Sequence, residues 1–177
     1  MCKWYNEMTC YILAGGEKNP QVDFKPAGEL TRLEKTYRNY AKVFDRVKLV
    51  IKADQAKERY LNYPHVCDQA EEKGSWVGIS TALADAKTEA VFIGSSAITD
   101  FPPQLMVELV KNYNGEAFVG YADENNNTQP LFGIYNKKLC DRLNLDEFEN
   151  LEDLLDPDDM KLLMLPDEIA FDLLDLN

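Results

Sequence analysis

The amino-acid sequence predicts an α/β fold with a mostly parallel β-sheet, and three observations support this class. The chain has 177 residues, 45% of them hydrophobic, which suits a folded domain with a sizeable core. Short apolar runs typical of buried strands, such as 90–94 (AVFIG), alternate with amphipathic segments typical of helices. The first of these runs, 9–13, passes directly into Ala14-Gly15-Gly16, and ligands of open α/β sheets bind at such strand ends.

The predicted elements follow in order along the chain. The strands are predicted at 9–13, 46–51, 90–94, 117–121 and 129–135, with a small edge element at 66–68. Helices are predicted where apolar residues recur every three or four positions, at 30–44, 77–86 and from Pro103 through Leu109, with a short one at 55–61. The remainder is predicted to be helical, interrupted at Pro157 and ending in an apolar run at 169–176. No repeat or linker divides the chain, so we expect a single domain over 1–177.

The charge is unevenly distributed. The net charge is −12, yet from Asp141 onward there are 13 acidic and 2 basic residues, which leaves the first 140 residues at −1. The acidity therefore belongs to the C-terminal portion, 141–177, and disfavours nucleic acid as a partner. That portion is either a solvated face, the commoner case, or a surface for a partner protein.

The cysteines and the single histidine do not indicate a metal or a catalytic triad. The four cysteines are scattered and lack a nearby histidine cluster, which argues against zinc, and His65 stands beside Pro64 in a loop-like stretch. No apolar run reaches the roughly 18 residues of a membrane span. The first eight residues lack the apolar core of a signal peptide, so we expect a cytoplasmic protein with free thiols and no membrane partner.

The paired glycines after the first strand have two interpretations. Without a Cβ, Gly15 and Gly16 allow backbone N–H groups to approach a phosphate closely. A plain turn from strand to loop explains an isolated Ala-Gly-Gly equally well, and is the commoner case.

Four motifs in a fixed order favour the first interpretation. They are LAGG at 13–16 with Lys25 downstream, Asp68 followed by a G-x-x-x-G-I motif at 74–79, a strand entering a polar loop at 91–100, and QPLFGIY at 129–135. This order resembles the molybdenum cofactor guanylyltransferase family (MobA-like NTP transferases) over about residues 9–143. The final AFDLLDLN is also similar to a late segment of that family. The resemblance implies a three-layer, Rossmann-like nucleotidyltransferase fold.

The resemblance also implies an activity and a site. The family transfers GMP from GTP to the terminal phosphate of molybdopterin and releases pyrophosphate, with Mg²⁺ as cofactor. Its partners would be GTP or another nucleoside triphosphate, molybdopterin, and a protein involved in molybdoenzyme maturation. Lys25 would neutralise triphosphate charge as the catalytic residue, and the other implied nucleotide-binding residues are Leu13, Ala14, Gly15, Gly16, Lys52 and Asp68.

The sequence departs from the family pattern, as a divergent member would. The R-M-G element between LAGG and the lysine is absent, and Lys52 stands where the family usually has asparagine. A gap-free match of the strand at 90–94 puts Ser96 at the position of the metal-binding aspartate, where a hydroxyl is a poor ligand for Mg²⁺. Alternatively, Asp100-Phe101-Pro102 is the displaced Asp-x-Pro motif, and Asp100 is the ligand.

These departures leave other functions open. The chain could be an inactive member that binds a nucleotide, the pterin or a partner protein. It could also transfer a nucleotide to another phosphorylated acceptor, such as a sugar phosphate.

Overall fold

A computed structural model describes residues 7–14, 22–55, 59–68, 74–140 and 156–166. Within these ranges the strands are β1 (Thr9–Leu13), β2 (Pro26–Ala27), β3 (Leu30–Thr31), β4 (Arg46–Lys52), β5 (His65–Asp68), β6 (Ala90–Ser95), β7 (Phe118–Ala122), β8 (Thr128–Asn136) and β9 (Met160–Met164). The α-helices are α1 (Arg32–Tyr40), α2 (Ser75–Asp85) and α3 (Pro103–Asn112). Short 3₁₀ turns lie at Ala53–Gln55, Tyr60–Asn62, Lys137–Leu139 and Pro157–Asp159.

Seven of the described strands form one sheet in the order β5-β4-β1-β6-β8-β7-β9, and β2 pairs with β3 separately. Strand β1 is parallel to β4 and to β6, β4 is parallel to β5, and β7 is parallel to β9. Strand β8 runs antiparallel to both of its neighbours, β6 and β7. The prediction of a mostly parallel α/β sheet is confirmed, and the carboxyl ends of β5, β4, β1 and β6 lie side by side.

Helices cover both faces of the sheet, which gives three layers. Successive residues of β1 alternate between the faces, as the strand period requires. Cys10 and Ile12 pack with residues of α1 and α3, including Leu33 and Leu109. On the other face, Tyr11 packs with α2 in a cluster that contains Ile79, Ala82 and Leu83.

Helix α1 begins at a well-formed capping box. The Thr31 hydroxyl accepts a hydrogen bond from the Glu34 amide (3.2 Å), and the Glu34 carboxylate accepts one from the Thr31 amide (2.7 Å). Such reciprocal bonds satisfy two backbone donors that the helix itself leaves unpaired. The helix ends at Tyr40, earlier than the predicted residue 44, and Ala41 is exposed.

Two predicted elements differ from the structure. The described residues of the short helix predicted at 55–61 lie in or next to the ends of two 3₁₀ turns, Ala53–Gln55 and Tyr60–Asn62, while 56–58 lie outside the described residues. The segment after Pro157 was expected to be helical, but Met160–Met164 is strand β9, paired in register with Phe118–Ala122 of β7. Its sequence, MKLLM, lacks the strict apolar–polar alternation that predicts a strand, and β9 lies at the edge of the described sheet beside β7. The predictions for 141–155 and 169–176 lie outside the described residues.

No helix among the described residues is both long enough and apolar enough to cross a membrane.

Candidate functional site at the strand ends

The pairing of β1 continues one residue beyond the strand. The Ala14 amide donates a hydrogen bond to the Val50 carbonyl (2.9 Å), and the Ser96 amide donates one to the Leu13 carbonyl (2.9 Å). These bonds fix the end of β1 between β4 and β6. Because they occupy the Ala14 amide, backbone donors for a ligand must come from residues after it, and Gly15 and Gly16 lie outside the described residues.

Lys52 and Asp68 meet at the ends of β4 and β5. They face each other in the register of the two strands, and their Nζ and Oδ2 atoms are 2.7 Å apart. The Asp68 side chain is 6% exposed and that of Lys52 is 30% exposed. The structure therefore brings two of the predicted site residues together as a largely buried ion pair.

The glycines of the G-x-x-x-G motif bring α2 close to the end of β1. Gly74, with a φ of 137°, precedes the first residue of α2 in a backbone conformation that other residues rarely adopt. Gly78 lies against β1, since a Cβ at this position would come within 2.9 Å of Leu13 Cδ2. The motif thus has a structural role at the carboxyl end of β1.

The loop that follows β6 is held against α1. Four side chains of the helix, spaced three or four residues apart, contact residues 96–101 of this loop. They are Arg32 on the Ala97 carbonyl, Lys35 on the Asp100 carboxylate (2.5 Å), Thr36 on the Ser96 carbonyl (3.4 Å) and Asn39 on the Thr99 carbonyl (3.1 Å). This stripe of the helix positions both candidate metal ligands.

The two candidates differ in their fit to a divalent cation. Ser96 is 1% exposed, and its hydroxyl has no hydrogen-bond partner within the described part of the chain. A neutral hydroxyl enclosed in this way does not fit a hard cation. The Asp100 side chain is 74% exposed, and the hydrogen bond from Lys35 lowers the pKa of its carboxyl below the usual value.

Asp100 is therefore the candidate that fits a cation. The described ranges contain no cluster of three His, Cys, Asp or Glu side chains suited to a metal. A single carboxylate is still compatible with Mg²⁺, which often binds one or two carboxylates together with substrate phosphates.

Lys25 is exposed, but its backbone is fixed. Its amide donates to the Val22 carbonyl (3.1 Å), and its carbonyl accepts from the Arg32 amide (3.0 Å). The ammonium group is thus presented to solvent from an anchored position just before β2.

Sequence reasoning missed the residues of α1 that hold the 96–101 loop. The capping pattern of Thr31 and Glu34 could have located the start of the helix. Arg32, Lys35 and Asn39 could then have been assigned to one face of this helix. No local signal, however, indicates that this stripe faces a loop more than 60 residues away in sequence.

Together these features define a class of protein, an α/β protein with a candidate ligand site at the carboxyl ends of adjacent parallel strands. Known proteins are similar to it in sequence and fold. A probable molybdenum cofactor guanylyltransferase of Aquifex aeolicus is 29% identical over 183 residues, covering 96% of this chain and 85% of the relative. A solved structure from the same organism, also 29% identical, superposes with a TM-score of 0.74 over 96% of this chain and 92% of its own.

A more distant structure has the same fold. The molybdopterin-guanine dinucleotide biosynthesis protein A of Archaeoglobus fulgidus is 15% identical, with a TM-score of 0.71 over 89% of this chain and 83% of its own. The family described as MobA-like NTP transferase domain matches residues 10–157. The chain belongs to this family of nucleotidyltransferases, and the resemblance found in the four sequence motifs is confirmed.

Proposed function

We propose that this chain transfers GMP from GTP to the terminal phosphate of molybdopterin, with release of pyrophosphate. The observation that carries the proposal is the buried Lys52–Asp68 pair beside the end of β1, in a chain of this nucleotidyltransferase family. The name of the Aquifex aeolicus relative supports GTP and the molybdenum cofactor as substrates. We further propose that the product passes to a protein that matures molybdoenzymes.

The chemistry is a displacement at phosphorus. An oxygen of the molybdopterin phosphate attacks the α-phosphorus of GTP, the bond from that phosphorus to the bridging oxygen of the β-phosphate breaks, and pyrophosphate leaves with that oxygen. Catalysis of such a reaction consists mainly of positioning the reactants and stabilising charge. No histidine base is required, because the attacking phosphate oxygen is already ionised.

The proposed roles follow the strand ends. Leu13 and Ala14 hold the end of β1 in place, and the amides of Gly15 and Gly16 donate to the phosphates. Lys25 neutralises charge on the triphosphate, and Lys52 with Asp68 binds the nucleoside side of GTP. These assignments rest on the strand register and on the order of the family motifs.

Asp100 would hold Mg²⁺ together with phosphate oxygens of the nucleotide. When bound, the ion supplies positive charge that offsets the charge developing on the phosphates. Lys35 would compete with the ion for this carboxylate, because its Nζ lies 2.5 Å from Oδ1.

Pyrophosphate release tests the proposal. The full chain is incubated with Mg²⁺, molybdopterin and GTP, CTP or ATP in turn, and the dinucleotide product is identified by mass spectrometry. We expect pyrophosphate and the guanine dinucleotide only when GTP and molybdopterin are both present. Absence of release with every nucleotide would refute the transfer reaction.

A second function, binding without turnover, is favoured by the enclosed Ser96 hydroxyl. In this case calorimetry would detect nucleotide or pterin affinity that changes little when Mg²⁺ is omitted, with no product formed. Transfer to another phosphorylated acceptor would instead appear as pyrophosphate release with a sugar phosphate in place of molybdopterin.

A further inference from the structure

A buried carboxylate lies two residues before Lys25. Asp23 is 1% exposed, although the residues that follow it, 25–29, are exposed. Its Oδ2 accepts a hydrogen bond of 2.7 Å from the hydroxyl of Tyr60, which is itself 3% exposed. Placing a carboxylate inside a protein is costly unless hydrogen bonds compensate, so this contact ties an otherwise exposed segment to the interior.

Aromatic contacts reinforce the attachment. The ring centroids of Phe24 and Tyr60 are 4.8 Å apart, and the Arg59 guanidinium lies 5.1 Å from the centroid of Phe24 on its outer side. Burial, together with the hydrogen bond and charge of Asp23, raises the pKa of Tyr60, so this phenol remains a hydrogen-bond donor throughout the neutral range. Two neighbouring residues, Asp23 and Phe24, therefore contact the same tyrosine.

Tyr60 lies in the connection between the two strands that end in Lys52 and Asp68. It lies in the 3₁₀ turn Tyr60–Asn62, between β4, which ends at Lys52, and β5, which ends at Asp68. Ala14 is bonded to Val50 of β4, and Asp23 is bonded to Tyr60 in the connection that follows β4. These two described residues, which lie before and after Gly15 and Gly16 in the sequence, are therefore attached to β4 and to the connection after it.

From this geometry we infer that Tyr60 and Asp23 are positioning residues, whose hydrogen bond holds residues 23–25 against the Tyr60–Asn62 turn and so places Lys25 relative to Lys52 and Asp68. The inference rests on the proposed function for its consequence, nucleotide binding. The attachment itself is a property of the fold and can be tested separately.

The experiment compares Tyr60→Phe with a matched control, Tyr121→Phe. Tyr121 is also buried and also donates to a carboxylate, Glu108 Oε2 at 2.8 Å, but it lies on β7, three strands away from β1. Each variant loses one tyrosine–carboxylate hydrogen bond and keeps its ring, and Tyr121→Phe also loses a longer contact to the Leu105 carbonyl (3.2 Å), which makes it the stricter control for lost stability. Asp23→Asn is the conservative variant, because its amide oxygen still accepts from Tyr60.

The first measurement is hydrogen exchange of peptides covering residues 22–31. We expect Tyr60→Phe to accelerate exchange of the Lys25 amide about tenfold, whereas Tyr121→Phe and Asp23→Asn leave it near the wild-type rate. Unchanged exchange in Tyr60→Phe would overturn the inference, whether or not the protein binds a nucleotide.

The second measurement is GTP affinity by isothermal titration. We expect a roughly tenfold weaker affinity in Tyr60→Phe, equivalent to about 1.4 kcal/mol, a near-normal value in Asp23→Asn, and no change in Tyr121→Phe. Equal weakening in both tyrosine variants would overturn positioning in favour of a general loss of stability. Failure of the wild-type chain to bind GTP would refute the proposed function, and the exchange rates would then decide the attachment alone.

Discussion

Replacing Lys52 with methionine tests whether the Lys52–Asp68 pair stabilises the strand ends. Methionine retains most of the apolar stem and removes the ammonium group that lies 2.7 Å from Asp68 Oδ2. The carboxylate left behind is 6% exposed, so water cannot fully solvate it. The variant therefore measures how much one charge-assisted hydrogen bond contributes to the free energy of unfolding at this edge of the sheet.

The size of the effect follows from burial. A hydrogen bond to a charged group contributes about 1.5–3 kcal/mol. The Lys52 side chain is 30% exposed, and solvent screening reduces the contribution to about 1–2 kcal/mol. For a chain of this length, such a loss lowers the melting temperature by about 2–8 °C.

Urea unfolding followed by fluorescence gives the free energy of unfolding for comparison with Lys48→Met. Lys48 lies on the same strand and also pairs with an aspartate, Asp85 at 2.6 Å, but the Asp85 side chain is 31% exposed. We expect the Lys48 variant to lose less stability than the Lys52 variant. Adding Asp68→Asn to Lys52→Met should restore part of the loss, because it removes a buried negative charge that no longer faces the lysine. Equal losses in the two lysine variants, or no recovery in the double variant, would refute the reasoning.

Three further predictions concern packing, pH and the metal. Gly94→Ala should destabilise the protein by about 1–3 kcal/mol in urea unfolding, because its Cβ would lie within 2.2 Å of the hydroxyl of Tyr40, whose ring is wedged among other aromatic rings; an unchanged midpoint would contradict this packing. Burial raises the pKa of Asp85, but hydrogen bonds from Lys48 and Tyr11 lower it more, so the net pKa lies below its usual value of 3.8. The stability that this ionised group contributes is therefore present above about pH 4 and lost as the pH falls through the folded-state pKa. The melting-temperature gap between wild type and Asp85→Asn should accordingly shrink below pH 4, and a gap that widens there would be inconsistent with the shift. Asp100→Asn should abolish the Mg²⁺-dependent part of GTP affinity in calorimetry, and full retention of that part would exclude Asp100 as the ligand.

Much of the fold could be predicted because local patterns and tertiary structure agree. The run at 90–94 is buried on both faces in the middle of the sheet, so its continuous apolar character marks a strand. Along the strand at 46–52, buried residues recur at every second position (Val47, Leu49 and Ile51), as in a strand. Along the helix at 75–85, buried residues recur every three or four positions (Ile79, Ala82 and Leu83), as in a helix. Asp68 is singled out only by the order of the family motifs, and the structure places it as the last residue of β5.

The rest depends on contacts that no local pattern specifies. Strand β9 exists because β7 provides a partner, and the acidic turn at Pro157–Asp159 before it resembles the start of a helix. The pairing of Asp100 with Lys35 depends on the loop after β6 returning across α1. Asp23 stands between the apolar Val22 and Phe24 in an otherwise polar stretch, and no local pattern indicates that its carboxylate is buried against Tyr60.

The contacts at the strand ends explain why metal dependence separates the two proposed functions, nucleotidyl transfer and nucleotide binding without turnover. Compared with the family pattern, the chain lacks the loop arginine and gains Lys52, but the new cation is already bound to Asp68. Ser96 contributes no charge, and Asp100 is paired with Lys35, so a cation that binds here competes with a lysine at 2.5 Å. Metal affinity should therefore be weak in the free protein and should rise once nucleotide phosphates supply further ligands and a competing partner for Lys35. A chain that only binds nucleotide has no such coupling, because its affinity depends on lysines and backbone amides alone.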